Sequence, residues 1–285
     1  MKNLKQTYEG WALVTGASSG IGEEFARELA KQKFDLILVA RNQTALERLS
    51  KELVSEYQIN TRVVAMDLVQ AGAAQTLYKS VNDLDVSLLI ASAGTDEMGP
   101  FLEKDYTDLS RMLKLNVDVP SELAHLFGKN MAANNARGNK RSGIILVSSL
   151  FAYQGIPNFA AYAATKAYIL TLGEALTAEM KSSGIDVLTL SPGLTSTPFA
   201  AGLKLNTALL PMIPQRPETV ARTGLRNLGR KMSVVSGLLN KFYAWENRLI
   251  PRSWPVHLFG FLIGNAMKSY ERRQAKLNTK SKTHI

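Results

Sequence analysis

The stretch Leu13-Val14-Thr15-Gly16-Ala17-Ser18-Ser19-Gly20-Ile21-Gly22 decides the fold of this chain. It closes a short apolar run with a turn that holds three glycines in seven residues, and apolar side chains at helical spacing follow in residues 23–30. Strand, glycine turn and helix form the setting of a dinucleotide-binding loop. Glycines let the backbone approach a pyrophosphate, and the helix N-terminus offers free N–H groups to it. The alternative is an ordinary turn between a strand and a helix.

A tyrosine and a lysine four residues apart form the second motif. Tyr162 and Lys166 lie in a segment of good helix formers, so both side chains are expected on one helix face. A lysine cation beside a tyrosine favours the phenolate, so we expect the Tyr162 pKa to be lowered. A phenol tuned towards neutral pH is a general acid or base for a carbonyl or alcohol oxygen. Alone, the spacing also fits a surface lysine and a packed tyrosine, and the upstream glycine turn is what favours the chemical interpretation.

Together these motifs resemble the classical short-chain dehydrogenase/reductase (SDR) family over about residues 8–200. That family has Thr-Gly-x-x-x-Gly-x-Gly at the first turn and Tyr-x-x-x-Lys in its active site. Further matches follow in the family's order: Asn116, Ser149 thirteen residues before Tyr162, Pro192-Gly193 and Thr197. Asp67-Leu68 matches the residues that the family places beside the adenine.

The resemblance implies a role for each catalytic candidate. Tyr162 would donate a proton to a carbonyl oxygen, or accept one in the oxidative direction, and Ser149 would orient that oxygen. Lys166 would lower the Tyr162 pKa and bind the nicotinamide ribose, and Asn116 would distort its helix and hold a water in a proton relay. Taken singly, Ser149 also fits a strand-end cap and Asn116 a polar group on a helix surface.

The end of the second predicted strand bears on the choice of cofactor. Ala40 occupies the position where an acid would bind the ribose 2′-hydroxyl of NAD, and Arg41 follows it. A guanidinium suits a phosphate, and Ser18 adds a hydroxyl, so NADP(H) is the expected cofactor. If Arg41 is only a surface charge, the preference stays open. The residues expected at the cofactor are Gly16, Ser18, Ser19, Gly20, Ile21, Gly22, Arg41, Asp67, Leu68, Ala93, Gly94, Tyr162, Lys166, Pro192, Gly193, Thr195 and Thr197.

One turn departs from the family's pattern. After the fourth predicted strand the family usually has Asn-Asn-Ala-Gly, whereas this chain has Ala91-Ser92-Ala93-Gly94. The Ala-Gly backbone remains but the asparagine amides do not. This puts the stability of that turn in doubt and removes no catalytic group.

Strand and helix patterns alternate, which predicts an α/β fold: a Rossmann-like doubly wound parallel sheet with helices on both faces. Candidate strands cover residues 11–15, 35–40, 61–66, 86–91, 143–148 and 186–191, and amphipathic segments include 44–56 and 70–81. We expect a single dinucleotide-binding and catalytic domain over residues 1–230 and a helical, basic extension over 231–285. Residues 195–217, rich in proline and leucine, are expected to form a lid.

The predicted function is reduction of a ketone or aldehyde, or the reverse alcohol oxidation. Met98, Phe101, Leu150, Tyr153 and the lid form a mainly apolar region, which suits a lipophilic substrate. The alternative is a non-enzymatic NADP-binding regulatory protein on the same fold. The resemblance also implies a homodimer or homotetramer.

The composition of the chain limits the metals, partners and location that we expect. The 285 residues carry a net charge of +10, no cysteine and three scattered histidines (His125, His257 and His284), so no metal site is expected. No motif indicates nucleic-acid binding. The start of the chain does not resemble a signal peptide, and no apolar run reaches the roughly 18 residues of a spanning helix, so we expect a cytoplasmic protein.

The end of the chain allows two interpretations. Residues 268–285 hold six Lys or Arg against one acid, and an apolar face over residues 238–250 precedes them. The tail is either solvated and disordered or attracted to an anionic membrane, in which case the protein is a peripheral membrane one. The apolar face either packs against its own domain or a partner subunit, or faces a membrane.

Overall fold

The computed structural model describes residues 4–138, 140–246 and 249–282, with side chains up to residue 277. Lys280 and Lys282 of the basic tail, and His284, lie outside the described side chains. Within the described part of the chain the strands are β1 (Trp11–Thr15), β2 (Asp35–Ala40), β3 (Thr61–Ala65), β4 (Val86–Ala91), β5 (Ser142–Val147), β6 (Ile185–Ser191) and β7 (Ser233–Val235).

These strands form one parallel sheet in the order β3-β2-β1-β4-β5-β6-β7. β1 pairs with β2 on one side and with β4 on the other, so the strand order reverses between β1 and β4. In sheets of this kind ligands bind beyond the carboxyl ends of the strands, at the point of reversal. The predicted doubly wound fold is confirmed.

The helices connect and cover the strands. In the described residues they are α1 (Leu4–Thr7), α2 (Gly20–Ala30), α3 (Gln43–Tyr57), α4 (Ala73–Ser80), α5 (Tyr106–Leu113), α6 (Val119–Gly138), α7 (Ala160–Glu179), α8 (Pro198–Ala201), α9 (Pro217–Asn227), α10 (Leu238–Glu246) and α11 (Ser253–Lys282).

The sheet is covered on both faces. Leu36 and Leu38 of β2 are buried in a core with side chains of α2, α3 and α9, whereas Ile37 and Val39 are buried in a second core with side chains of α4, α6 and α7. Successive side chains of a strand point to opposite faces, so both faces of the inner strands must be apolar here. That is why the strands appear in the sequence as continuous apolar runs.

Element bounds follow the sequence closely. β1, β2 and β4 have the predicted bounds, β3 and β6 differ by one residue at one end, and β5 is shifted by one residue towards the N-terminus at both ends. The predicted helix 44–56 lies within α3, while α4 is shorter than predicted because Gly72, at its N-cap, has a left-handed φ of 69°. β7 was not predicted, and it pairs with β6 over three residues, so the sheet continues beyond residue 230.

The last described residues of the chain are helical. α11 buries Phe259, Ile263 and Ala266 in a third core, together with Leu205 and Leu210 of the lid. Among the described residues no helix combines the length and apolar character needed to cross a bilayer. In the same residues no group of His, Asp and Glu side chains is arranged to bind a metal.

Candidate active site

A cavity of about 360 Å³ lies at the carboxyl edge of the sheet. The residues that directly follow five of the strands line this cavity. They are Gly16 after β1, Arg41 after β2, Ser92 after β4, Ser148 after β5 and Pro192 after β6. It also contains every cofactor position named from the sequence, together with Ser149, Tyr162 and Lys166. Asn116 is the exception among the predicted site residues, because it is buried behind the cavity wall.

The glycine turn brings backbone N–H groups to this cavity. Gly16 and Gly20 have φ of 71° and 59°, in the left-handed region that favours glycine. A Cβ atom on Gly16 would lie 3.0 Å from the Ala93 Cα atom, and one on Gly22 would collide with the Gly16 carbonyl. Ser19 is the extended N-cap of α2, and its side chain makes no capping hydrogen bond in the described chain. The first N–H groups of α2 are therefore available to an anion, and the turn fits the pyrophosphate of a dinucleotide.

The turn after β4 is supported from β1. The Thr15 hydroxyl accepts hydrogen bonds from the backbone N–H groups of Ser92 and Ala93, both at 3.1 Å. Thr15 therefore binds this turn although the family's asparagines are missing. The sequence contained this threonine in the glycine motif, but only the pairing of β1 with β4 shows what it contacts.

Asn116 lies in a π-helical segment, Lys114–Asp118, between α5 and α6. Its amide nitrogen donates to the Thr95 carbonyl at 2.8 Å and to the Thr165 hydroxyl at 3.2 Å, and its amide oxygen accepts from Thr95 N at 3.0 Å. π-turns inside helices are frequent at functional sites. A Cβ atom on Gly94 would lie 3.2 Å from the Asn116 oxygen and 3.3 Å from Lys166 Nζ, so all three residues meet beside the cavity.

Tyr162 and Lys166 lie on one face of α7, and both are buried. Lys166 Nζ donates a hydrogen bond to the Val147 carbonyl at 3.1 Å and lies 5.7 Å from the centroid of the Tyr162 ring. Desolvation by burial lowers the pKa of Lys166 to about 8. The ammonium is therefore easier to deprotonate than that of an exposed lysine.

The expectation that the Tyr162 pKa is lowered is wrong in this structure. Burial raises the pKa of Tyr162 to about 12, a hydrogen bond with Ser149 acts to lower it, and the charge of Asp96 acts to raise it. Burial disfavours the phenolate, and this desolvation outweighs the effect of the Ser149 hydrogen bond. Near neutral pH the phenol is protonated.

Ser149 lies just after β5, and its side chain makes hydrogen bonds to two residues. Its hydroxyl accepts a hydrogen bond from Phe151 N at 3.1 Å, which caps the 3-10 turn Leu150–Tyr153. The same side chain bonds the phenol of Tyr162. On the sequence, Ser149 was either a cap or the group that orients the substrate oxygen; the structure shows a cap and places the same side chain beside the Tyr162 phenol.

The opposite end of the cavity carries the residues expected at the adenosine. The consecutive residues Ala40, Arg41 and Asn42 line the cavity there. The Asn42 side chain also caps α3, because it accepts a hydrogen bond from Ala45 N at 3.0 Å. The Asp67 carboxylate lies 3.4 Å from a guanidinium nitrogen of Arg111. No pattern in the sequence indicated Arg111, because its place beside Asp67 depends on how α5 packs in the tertiary fold.

The wall near Tyr162 is apolar. Residues 195–217, the segment expected to form a lid, contribute Phe199, Leu203, Leu205, Leu210 and Met212, and Leu150 also lines the cavity. Of the other predicted residues Met98, Phe101 and Tyr153 are absent from the described lining, and Phe101 is 56% exposed.

Two aromatic residues of this wall were missed. Phe151 and Phe159 line the cavity and contact the Tyr162 ring, with centroids 6.3 and 6.2 Å away. Their positions in the sequence could have indicated them, since Phe151 lies two residues after Ser149 and Phe159 lies three residues before Tyr162.

A parallel sheet with a glycine turn at its reversal point, and a buried Tyr-Lys pair beside it, define the class of dinucleotide-dependent oxidoreductases. Comparison with known proteins gives the family: the profile described as short chain dehydrogenase matches residues 10–207. The chain belongs to the short-chain dehydrogenase/reductase family.

Individual relatives extend over most of the chain. A 7beta-hydroxysteroid dehydrogenase of Clostridium sardiniense is 33% identical over 88% of this chain and 94% of its own length. A very-long-chain 3-oxoacyl-CoA reductase of Scheffersomyces stipitis is 34% identical over 84% of this chain and 70% of its own length. Among solved structures, one described as giving insights into 7beta-hydroxysteroid dehydrogenase stereoselectivity superposes with a TM-score of 0.81, at 26% identity, over 90% of this chain and 99% of that one.

Proposed function

We propose that this protein is an NADP(H)-dependent oxidoreductase that reduces a lipophilic ketone or aldehyde, or oxidises the corresponding alcohol. The observation that carries the proposal is the Tyr162 phenol, which is bonded to Ser149 and protonated near neutral pH beside an apolar wall. Such a phenol is a proton donor for a carbonyl oxygen. The Ser149 hydroxyl, next to it, orients the same oxygen.

The nicotinamide supplies the hydride when it is bound, and the chain supplies position and protons. Tyr162 delivers its proton to the substrate oxygen as that oxygen becomes an alkoxide. Lys166 lies beside Gly94, where its amine would bind the cofactor ribose, and Asn116 holds the Thr95 backbone next to it. The apolar side chains of the lid exclude water around the reacting carbon.

Arg41 supports NADP(H) over NAD(H). It lines the cavity directly after Ala40, and the α3 N-terminus begins two residues later at Gln43. A 2′-phosphate there would meet a guanidinium and the positive end of a helix dipole. An acid that would repel this phosphate is absent from position 40.

The apolar wall and the two relatives support a large lipophilic substrate, either a steroid ketone or a long-chain 3-oxoacyl thioester. The test is NADPH consumption over a panel that contains both and a small water-soluble ketone. Leu203→Ala should raise KM for the large substrate and leave KM for the small ketone nearly unchanged. If NADPH is bound but no carbonyl is reduced, the regulatory alternative replaces the proposal.

Assembly and location belong to the same proposal. A homodimer or homotetramer follows from the family resemblance, and light scattering measures it. The cytoplasmic assignment, with peripheral contact to a membrane, is tested by fractionation of cells that produce the protein.

A further inference from the structure

A ridge of exposed apolar side chains runs along the first half of α11. Trp254, Leu258 and Phe261 are 63%, 54% and 67% exposed, and their spacing of four and three residues places them on one face of the helix. We call these three residues the apolar ridge. The opposite face of α11 is already buried in the third core through Phe259 and Ile263. The fold of this chain therefore does not need the ridge for its own packing.

More exposed apolar surface adjoins this helix. Tyr243 of α10 contacts Phe259 ring to ring, with centroids 6.3 Å apart, so α10 lies beside α11. On α10, Phe242 and Trp245 are 54% and 57% exposed. Scattered apolar side chains are normal on a surface, whereas several large ones on two adjoining helices mark an interaction site.

Charge identifies the partner. The turns of α11 that follow the ridge expose Lys268, Arg272, Arg273 and Lys276, and the only acid among residues 253–277 is Glu271. A second copy of this surface would bring like charges together. An anionic surface complements them, and exposed Trp side chains suit the headgroup layer of a bilayer.

We propose that α11 docks this protein onto the surface of an anionic phospholipid membrane, with the apolar ridge in the headgroup layer and the basic residues on the lipid phosphates. Apolar area combined with basic charge is the pairing that holds a helix in the plane of a membrane.

The docking helix also forms the outer support of the lid. Asn206 of the lid donates from its backbone to the Ala266 carbonyl at 3.1 Å and from its side chain to the Ser269 hydroxyl at 3.0 Å. Its neighbour Leu205 lines the cavity and is buried with Ile263. If the proposed function holds, docking therefore places the wall of the substrate cavity next to a membrane that dissolves a lipophilic substrate.

The test is co-sedimentation of the full chain with phosphatidylcholine vesicles that contain or lack phosphatidylserine. We expect binding to the anionic vesicles that weakens as salt rises, because the Debye length falls to about 8 Å at physiological ionic strength. Arg272→Gln with Arg273→Gln should weaken binding roughly thirtyfold, at about fivefold for each charge near the surface. Trp254→Ser with Phe261→Ser should abolish it.

The matched control carries Lys51→Gln and Val54→Ser on α3, where both residues are exposed, and it should bind as the unchanged protein does. Thermal unfolding confirms that each variant is folded. Equal binding of all variants, or no binding to anionic vesicles at low salt, overturns the proposal. Light scattering adds a second criterion: if the Trp254 and Phe261 changes dissociate an oligomer, a second copy covers the ridge and the proposal is wrong.

Activity measurements test membrane docking separately from the proposed oxidoreductase function, on which the delivery of a lipophilic substrate rests. Reduction of a water-soluble ketone should be the same for the ridge variant and the unchanged protein, while reduction of a ketone dissolved in anionic vesicles should fall. A protein that binds vesicles and reduces no ketone contradicts the proposed function and leaves the docking surface supported.

Discussion

The Lys166 Nζ atom lies over the face of the Tyr162 ring, 5.7 Å from its centroid, and donates its hydrogen bond to the Val147 carbonyl. A cation at this position is attracted to the ring quadrupole. The phenol itself is buried, bonds Ser149 and has a pKa raised to about 12. The pair is thus arranged with the tyrosine as a protonated acid, which suits proton donation to a carbonyl.

Tyr162→Phe should reduce turnover at least about a hundredfold, the lower end of what general acid catalysis contributes. Only the hydroxyl is removed, so NADPH affinity measured by fluorescence titration should be unchanged. Tyr168→Phe is the matched control, because Tyr168 lies on the same helix and is 45% exposed. Turnover of the Tyr162 variant within about tenfold of the unchanged protein would sink the assignment.

The pH dependence should differ between the two directions of the reaction. Reduction needs a protonated Tyr162, and a pKa of about 12 keeps it protonated through the neutral range. Oxidation needs the phenolate, so its rate should rise with pH throughout that range. Initial rates measured in both directions check this, and a reductive rate that falls tenfold between pH 6 and pH 8 in step with Tyr162 ionisation contradicts it.

Lys166→Met should change how stability depends on pH. The Lys166 pKa is about 8 in the folded protein and 10.5 as the reference value, so between these values the unfolded chain binds more protons. Stability contributed by this group therefore rises with pH across that window, by up to about 3 kcal/mol. We therefore compare the free energy of unfolding of the variant with that of the unchanged protein by denaturant unfolding. The difference in favour of the variant should be larger near pH 7 than near pH 10.5. A difference that is constant with pH would show that Lys166 is not desolvated.

Arg41→Ala should weaken NADPH binding by about 1.5–3 kcal/mol, the range for a hydrogen bond to a charged group, and leave NADH binding nearly unchanged. Calorimetric titration of both cofactors measures this. Arg48→Ala on α3 is the control, since Arg48 pairs with Glu52 and is absent from the cavity lining. Equal losses for NADPH and NADH would refute a contact with the 2′-phosphate.

Asn116→Leu should lower both stability and turnover. The change leaves the half-buried N–H and carbonyl groups of Thr95 without their side-chain partner, an effect of at most about 1–3 kcal/mol for each unsatisfied group. Thermal unfolding measures the stability, and kcat the consequence for the site. Asn134→Leu on α6 serves as the comparison, because that amide bonds Asp85, which precedes β4, whereas the turn at Thr95 follows the other end of that strand. A variant with unchanged kcat and lowered stability would limit Asn116 to a structural role.

Much of the site was predictable because local sequence fixes it. The glycines of the first turn, the spacing of Tyr162 and Lys166 on a helix, and the apolar runs of buried strands are all short-range patterns. Three strands accordingly have the predicted bounds. β7 escaped prediction because an edge strand of three residues has no periodicity of its own.

The sequence by itself determined the parallel α/β fold, the glycine turn and the order of the site residues, since each depends on neighbours along the chain. Only the tertiary structure decided how buried those residues are, and burial reversed the expected shift of the Tyr162 pKa. It also decided long-range contacts: Thr15 with the turn at Ser92, Arg111 with Asp67, and the lid with α11. Desolvation and contacts between distant residues depend on the packed arrangement of the whole chain, which no local pattern records.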